Sequence, residues 1–140
     1  MKYINISTAV LVVSIFSSTV FAEEEPKNLK EVMQRIEVNM SKIVGHIMRE
    51  EFSDIAIAAE KVAVHDEPPL SHRLKMIAEL KTDFPDFKSH DDDVHLNSVA
   101  MQEAAEKKDL KSIIESYGKT LQSCNNCHTK YRKRIQKLKF

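Results

Sequence analysis

Along residues 28–50, Leu29, Met33, Ile36, Met40, Ile43 and Ile47 recur at steps of 4, 3, 4, 3 and 4. That spacing places all six on one seam of an α-helix, with the charged residues between them on the opposite face. A second helix is expected after Ser53, which can cap it, and carries Ile55, Ile57, Ala58, Val62 and Ala63. It ends near His65, because Pro68 and Pro69 cannot continue it. A short helix is expected around residues 73–80, and "DFPDFKSHDDD" reads as loop. A third long helix is expected over 92–106, its acidic start matching the positive end of the helix dipole. The last runs over about 109–138, where Leu110, Ile114, Tyr117, Leu121, Cys124, His128, Tyr131 and Ile135 step by 4, 3, 4, 3, 4, 3 and 4. No stretch alternates as a half-buried strand would. Four amphipathic helices with short links predict an all-α fold, an antiparallel four-helix bundle.

The first 22 residues follow a different pattern. Lys2 gives a positive start, Ile4 to Phe21 is apolar but diluted by Ser and Thr, and Val20-Phe21-Ala22 precedes Glu23-Glu24-Glu25. This is the layout of a secretory signal peptide cut after Ala22, leaving 23–140 as one domain. The rival reading is an uncleaved membrane anchor, which the small-residue site and the acidic run disfavour. The whole chain has 21 basic and 21 acidic residues. A balance so close to neutral gives no general pull toward nucleic acid, or toward a membrane once the signal is removed.

The chemistry concentrates in "SCNNCHTKYR", residues 123–132, which holds the only two cysteines, Cys124 and Cys127, with His128 directly after. On a helix Cys124 and His128 lie one turn apart, and Cys127 lies about 100° round from His128. A thioredoxin-like pair would sit near a βαβ pattern, and there is none. Structural zinc would want a second ligand pair at similar spacing. A disulfide within one helix is poorly placed between residues three apart. Cys-x-x-Cys-His is the attachment signature of a c-type haem, in which each thiol adds to one vinyl group and the imidazole reaches the iron.

An exported helical bundle with this motif in its last helix resembles the class II c-type cytochromes, the cytochrome c prime family. "YGKTLQSCNNCHTKYRKR" is similar to the family's last-helix pattern of aromatic, Gly, two Cys, His, aromatic and Arg. The resemblance implies one covalent haem c per chain on Cys124 and Cys127, His128 as the proximal iron ligand, and Tyr131 and Arg132 near the haem. It departs from the family in lacking the Trp common before the third helix. The family also implies two behaviours at the other iron face. An apolar first-helix residue leaves the iron open to nitric oxide or carbon monoxide, whereas a first-helix Met closes it for electron transfer. "LKEVMQRIEVNM" resembles the low-spin members when Met33 takes the ligand position, with Met40 as the alternative. Both Met side chains also read as ordinary core filling.

The expected function is therefore a periplasmic one-electron carrier, not an enzyme, with His and Met as axial ligands. The alternative is a five-coordinate protein that binds nitric oxide or carbon monoxide. Redox proteins are the expected partners, and family members often pair as homodimers through their first two helices. His46 reads as solvent-facing, His65 and His72 as helix-end or loop residues. His90 and His95 frame a weak divalent-metal pattern, outweighed by a solvated helix start. In "KYRKRIQKLKF", six of eleven residues are Lys or Arg, which complements the helix dipole or steers an acidic partner.

Overall fold

The computed structural model describes residues 24–140, so the expected signal peptide lies outside the described residues. The helices are α1 (Leu29–Arg49), α2 (Phe52–Ala63), α3 (Leu70–Leu80), α4 (Phe84–Glu106) and α5 (Leu110–Ile135), with one 3₁₀ turn, Lys81–Asp83, before α4. Asn28 caps α1 by accepting from the Glu31 N–H at 3.1 Å. Asp109 caps α5 through the Ser112 N–H at 3.1 Å and its hydroxyl at 2.6 Å. Each cap satisfies first-turn donors that the helix itself cannot.

Several boundaries differ from expectation, α3 beginning at Leu70 rather than near 73 among them. The helix α2 starts at Phe52, so Ser53 lies inside it and caps nothing. The helix α5 ends at Ile135. The stretch read as loop, 83–93, is mostly the first turns of α4. Its Pro85 falls in the first turn, where a missing N–H is not needed. Phe84 and Phe87 find a partner surface only through tertiary packing, against Met76, Leu80, Tyr131 and Ile135.

Four long helices, α1, α2, α4 and α5, pack antiparallel as a bundle. The strong interfaces run α1–α2, α2–α4 and α4–α5, while α1 and α5 share no comparable packing. Tight turns at Glu50 and Lys108, both in left-handed conformation, close one end. At the other end Arg35 meets Asp66 at 2.6 Å, His65 meets Asp91 at 3.2 Å, and Lys130 meets Asp86 at 2.9 Å. The short α3 packs Met76 and Leu80 against Tyr131 and Ile135 at this end. No helix among the described residues is long and apolar enough to cross a membrane.

The buried stripe of α5 shares only Tyr131 and Ile135 with the apolar seam. It runs through Ile113, Ser116, Thr120, Ser123, Tyr131 and Ile135, with Thr120 at 0% exposure. Small hydroxyl residues let α4 approach closely. Their hydroxyls donate back to carbonyls one turn earlier, Thr120 to Ser116 at 3.0 Å and Ser123 to Lys119 at 3.1 Å, so burial leaves neither unpaired. Leu121 and Ile114 are each 53% exposed. Thr120→Leu should therefore wedge α4 from α5 and cost about 1–3 kcal/mol in urea unfolding of the haem-loaded protein. Wild-type stability in that variant would contradict this interface.

Candidate functional site

The two halves of the site sit on facing flanks. On α5, Lys130 and Arg134 reach α4 and the 3₁₀ turn before it, pairing with Asp86 at 2.9 Å and Asp83 at 2.6 Å. Tyr117, Leu121, Cys124 and His128 lie about 130° round the helix from that pair. On α1, Arg35 and His46 reach toward α2, pairing with Asp66 and Glu51, each at 2.6 Å. Leu29, Met33 and Met40 lie about 120° round from those. In a bundle whose neighbours run α1–α2–α4–α5, these are the flanks that close the ring. The flanks facing across the cleft between α1 and α5 thus carry apolar side chains, a thioether, the Cys124 thiol and an imidazole, while Cys127 lies nearer α4.

The seams read from sequence are split by this arrangement. Met40 is buried at 8% exposure within the main core, whereas Met33, expected inward beside it, is 37% exposed. Cys124 and Cys127 are half-buried and His128 is exposed, although Cys124 and His128 were expected on the buried stripe. The physical reason is a roll of each helix: the core takes one edge of the seam, and the other edge fronts the cleft.

The bundle's polar end fixes height along the axis. Asp66 holds Arg35, and the adjacent His65 holds Asp91. Asp91 is near enough to Cys127 to help keep its thiol protonated. Met33 lies two residues from Arg35, toward this end of α1. Met40 lies about 10 Å farther along α1.

Both cysteines are free thiols. Burial raises the Cys124 thiol, and burial foremost, then Cys124 and the carboxylates of Asp91 and Asp86, pushes Cys127 up to about 11. Thiols held protonated are poor redox nucleophiles and poor zinc ligands. Burial, then the Arg132 charge, pushes His128 down, so its imidazole is neutral and free to donate a lone pair to a metal. Protonated thiols three residues apart, a neutral imidazole beside them and an uncovered apolar wall fit a c-type haem.

Tyr131 is buried and turned toward α4. Its hydroxyl donates to an Asp86 carboxylate oxygen and to the Asp83 carbonyl, and its ring meets Phe87 edge-on at 5.5 Å. Arg132 is exposed on the His128 flank of α5. Of the six basic residues in 130–139, Lys130 and Arg134 are committed to α4 and α3 carboxylates. His90 meets Asp86 at 3.5 Å while His95 meets the Ala63 carbonyl at 2.8 Å, so the two do not converge on a metal. His46, expected to face solvent, is half-buried against Glu51. His, Glu and Asp ligand atoms do gather at His46, Glu51 and Asp54, but Arg49 already supplies a cation to Glu51 at 2.8 Å. The roles of His65, Asp91 and Asp86 were not visible in the sequence, because their partners lie on other helices.

A sequence model of the family described as Cytochrome C′ matches residues 24–132. The fold and the site define an all-helical haem protein with a cleft in an antiparallel bundle. The chain belongs to the cytochrome c′ family, whose members bind one c-type haem per chain. Comparisons with curated proteins and with solved structures returned no match. In the haem-free chain, Cys127 should alkylate at pH 8 at least about tenfold more slowly than a free thiol, because its thiolate fraction is small. Fast alkylation would contradict its burial against α4, and mass spectrometry of the modified peptide reads either outcome.

Proposed function

We propose that this chain is a periplasmic one-electron carrier, with haem on Cys124 and Cys127 and with His128 and Met33 as the axial ligands. Family members are periplasmic and are typically non-enzymatic haem proteins. When bound, the haem supplies a one-electron Fe(III)/Fe(II) couple. His128 presents a neutral nitrogen, helped by burial and by the Arg132 charge. Met33 offers a soft thioether from the opposite wall, which favours the ferrous state over a harder donor. The observation that supports this assignment is the place of Met33 near the Arg35–Asp66 end of α1, the same end at which Asp91 lies close to Cys127. Met40 is supported less well, since it is packed into the core a helical repeat away.

Electron transfer needs little change at the iron, and ligands supplied by two helices of one bundle meet that need. Redox proteins are the partners this reading requires. The exposed Arg132 on the His128 flank, with exposed Lys133, Lys137 and Lys139 at the same end of the chain, suits an acidic one. Gas binding is the second reading, and the 37% exposure of Met33 favours it, because loose packing would let a small ligand displace the thioether.

Two experiments test the assignment. Haem should stay with the denatured chain after acid–acetone extraction, and the double change Cys124→Ala and Cys127→Ala should leave the chain without it. Extraction of free haem from the wild type would refute covalent attachment.

In the oxidised protein, Met33→Ala should convert a low-spin spectrum to high-spin, abolish the weak long-wavelength Met–Fe(III) band and admit carbon monoxide in the reduced state. Met40→Ala should keep the wild-type spectrum and lose about 2–5 kcal/mol of stability as a core truncation. A spectral change in Met40→Ala alone would move the ligand to Met40. A wild type already high-spin and gas-binding would replace the carrier reading with the second.

A further inference from the structure

The ring of His65 is engaged on both sides. Its Nδ1 faces the Val62 carbonyl at 3.0 Å and its Nε2 faces an Asp91 carboxylate oxygen at 3.2 Å. Both neighbours are acceptors, so both ring nitrogens must carry protons to bond them, which is the imidazolium form. The ring is 15% exposed, so its charge is poorly screened. Asp91 is the link to the site. It lies on α4 five residues beyond Asp86, which bonds Lys130 and Tyr131 of the antiparallel α5. Five residues is about 7.5 Å of helix, which brings Asp91 to the height of Cys127.

The groups around His65 are defined on every side. From α4 come Asp91, Lys88 (bonded to Asp91 at 3.1 Å and to Asp92 at 2.5 Å) and His95, whose ring is held by the Ala63 carbonyl at 2.8 Å. In the α2–α3 link, Asp66 is held by Arg35 of α1 at 2.6 Å and Glu67 by Arg73 of α3. On α5, Cys127 is close to Asp91 rather than to the ring, and Lys130 is held by Asp86 at 2.9 Å. Asp91 already has Lys88 as a second cation, so His65 can lose its proton without leaving that carboxylate unpaired. Asp91, primarily, holds the His65 ring above its ordinary range against the opposing effect of burial.

From this geometry we infer that His65 is the proton-coupled positioning residue of the haem site. As the iron gains one electron from a donor protein or a chemical mediator, His65 Nε2 takes up one proton from solvent, at pH values where the ring is part-titrated. The added negative charge at the iron and the added positive charge at His65 offset each other. In the oxidised state the reverse holds, and the proton returns to solvent. The direction follows from the sign of the charges. As pH rises through the His65 range the ring loses its positive charge, the ferrous state loses support and the potential falls. The pair also stabilises the fold below the ordinary histidine range, and that contribution is lost as pH rises through the raised value. The inference rests on haem attachment at Cys124 and Cys127, which extraction of the denatured chain tests separately.

The test is the reduction potential of the haem-loaded protein from about pH 5 to pH 9, which brackets ordinary histidine titration. The wild type should show a downward break. His65→Gln, which keeps a side-chain donor but no charge, should lack it. Asp91→Asn should move the break to lower pH. A His65→Gln profile that superposes on wild type, with haem attachment intact, would overturn the inference. The wild type alone provides a second readout that survives any folding failure of the variants. The ring carbon–proton NMR signal of His65 should titrate at higher pH in the reduced protein than in the oxidised one, and equal values in the two states would equally overturn it.

Discussion

Helix α5 has to serve two surfaces at once, and the rest of the molecule follows from how it does so. One flank must lie close against α4, and the flank about 130° away must front the cleft. Hydroxyl residues meet the first demand, because Ser116, Thr120 and Ser123 take little room and the Thr120 and Ser123 hydroxyls bond carbonyls of their own helix. Apolar residues and the Cys-x-x-Cys-His motif meet the second. The cleft stays open on its α1 side because the strong helix interfaces run only α1–α2, α2–α4 and α4–α5. A planar apolar cofactor bound between α1 and α5 would supply the contact area that a fourth interface would otherwise provide.

Polar contacts at the far end hold this arrangement in register. Arg134 and Lys130 tie the segment after the motif to Asp83 and Asp86, and Tyr131 reaches the same carboxylate from a buried position. These ion pairs are partly exposed, so each contributes little stability. Their main effect is positional: they fix how far α5 slides along α4, and so which residue of α1 stands across from His128. The short α3 adds an apolar plug, Met76 and Leu80, beneath the same segment.

Much of this was legible in the sequence. The helical periods gave the long helices, and Cys124, Cys127 and His128 stood out by spacing alone. The start of α4 was hidden because Pro85 and a run of aspartates mimic a loop, while Phe84 and Phe87 make sense only beside Tyr131. The burial order on α5 was hidden for a different reason. A seam of Leu, Ile and Tyr reads as core wherever apolar surface is assumed to face protein, and here part of it fronts the cleft. Met33 and Met40 could not be ranked by periodicity, since a heptad returns both to nearly one face. The structure distinguishes them by burial, Met40 at 8% exposure in the core and Met33 at 37%.

The central claim is that the iron is held between His128 and Met33. A methionine methyl group bound to a ferrous low-spin haem lies against the ring current of the porphyrin, so its proton signal moves far upfield of every other methyl. The most direct measurement is the NMR spectrum of the reduced protein with ¹³C-methyl methionine, assigned by substituting each methionine in turn. One strongly upfield methyl that disappears only in Met33→Leu is the result this account predicts. A shifted methyl belonging to another methionine, or none at all, would contradict it.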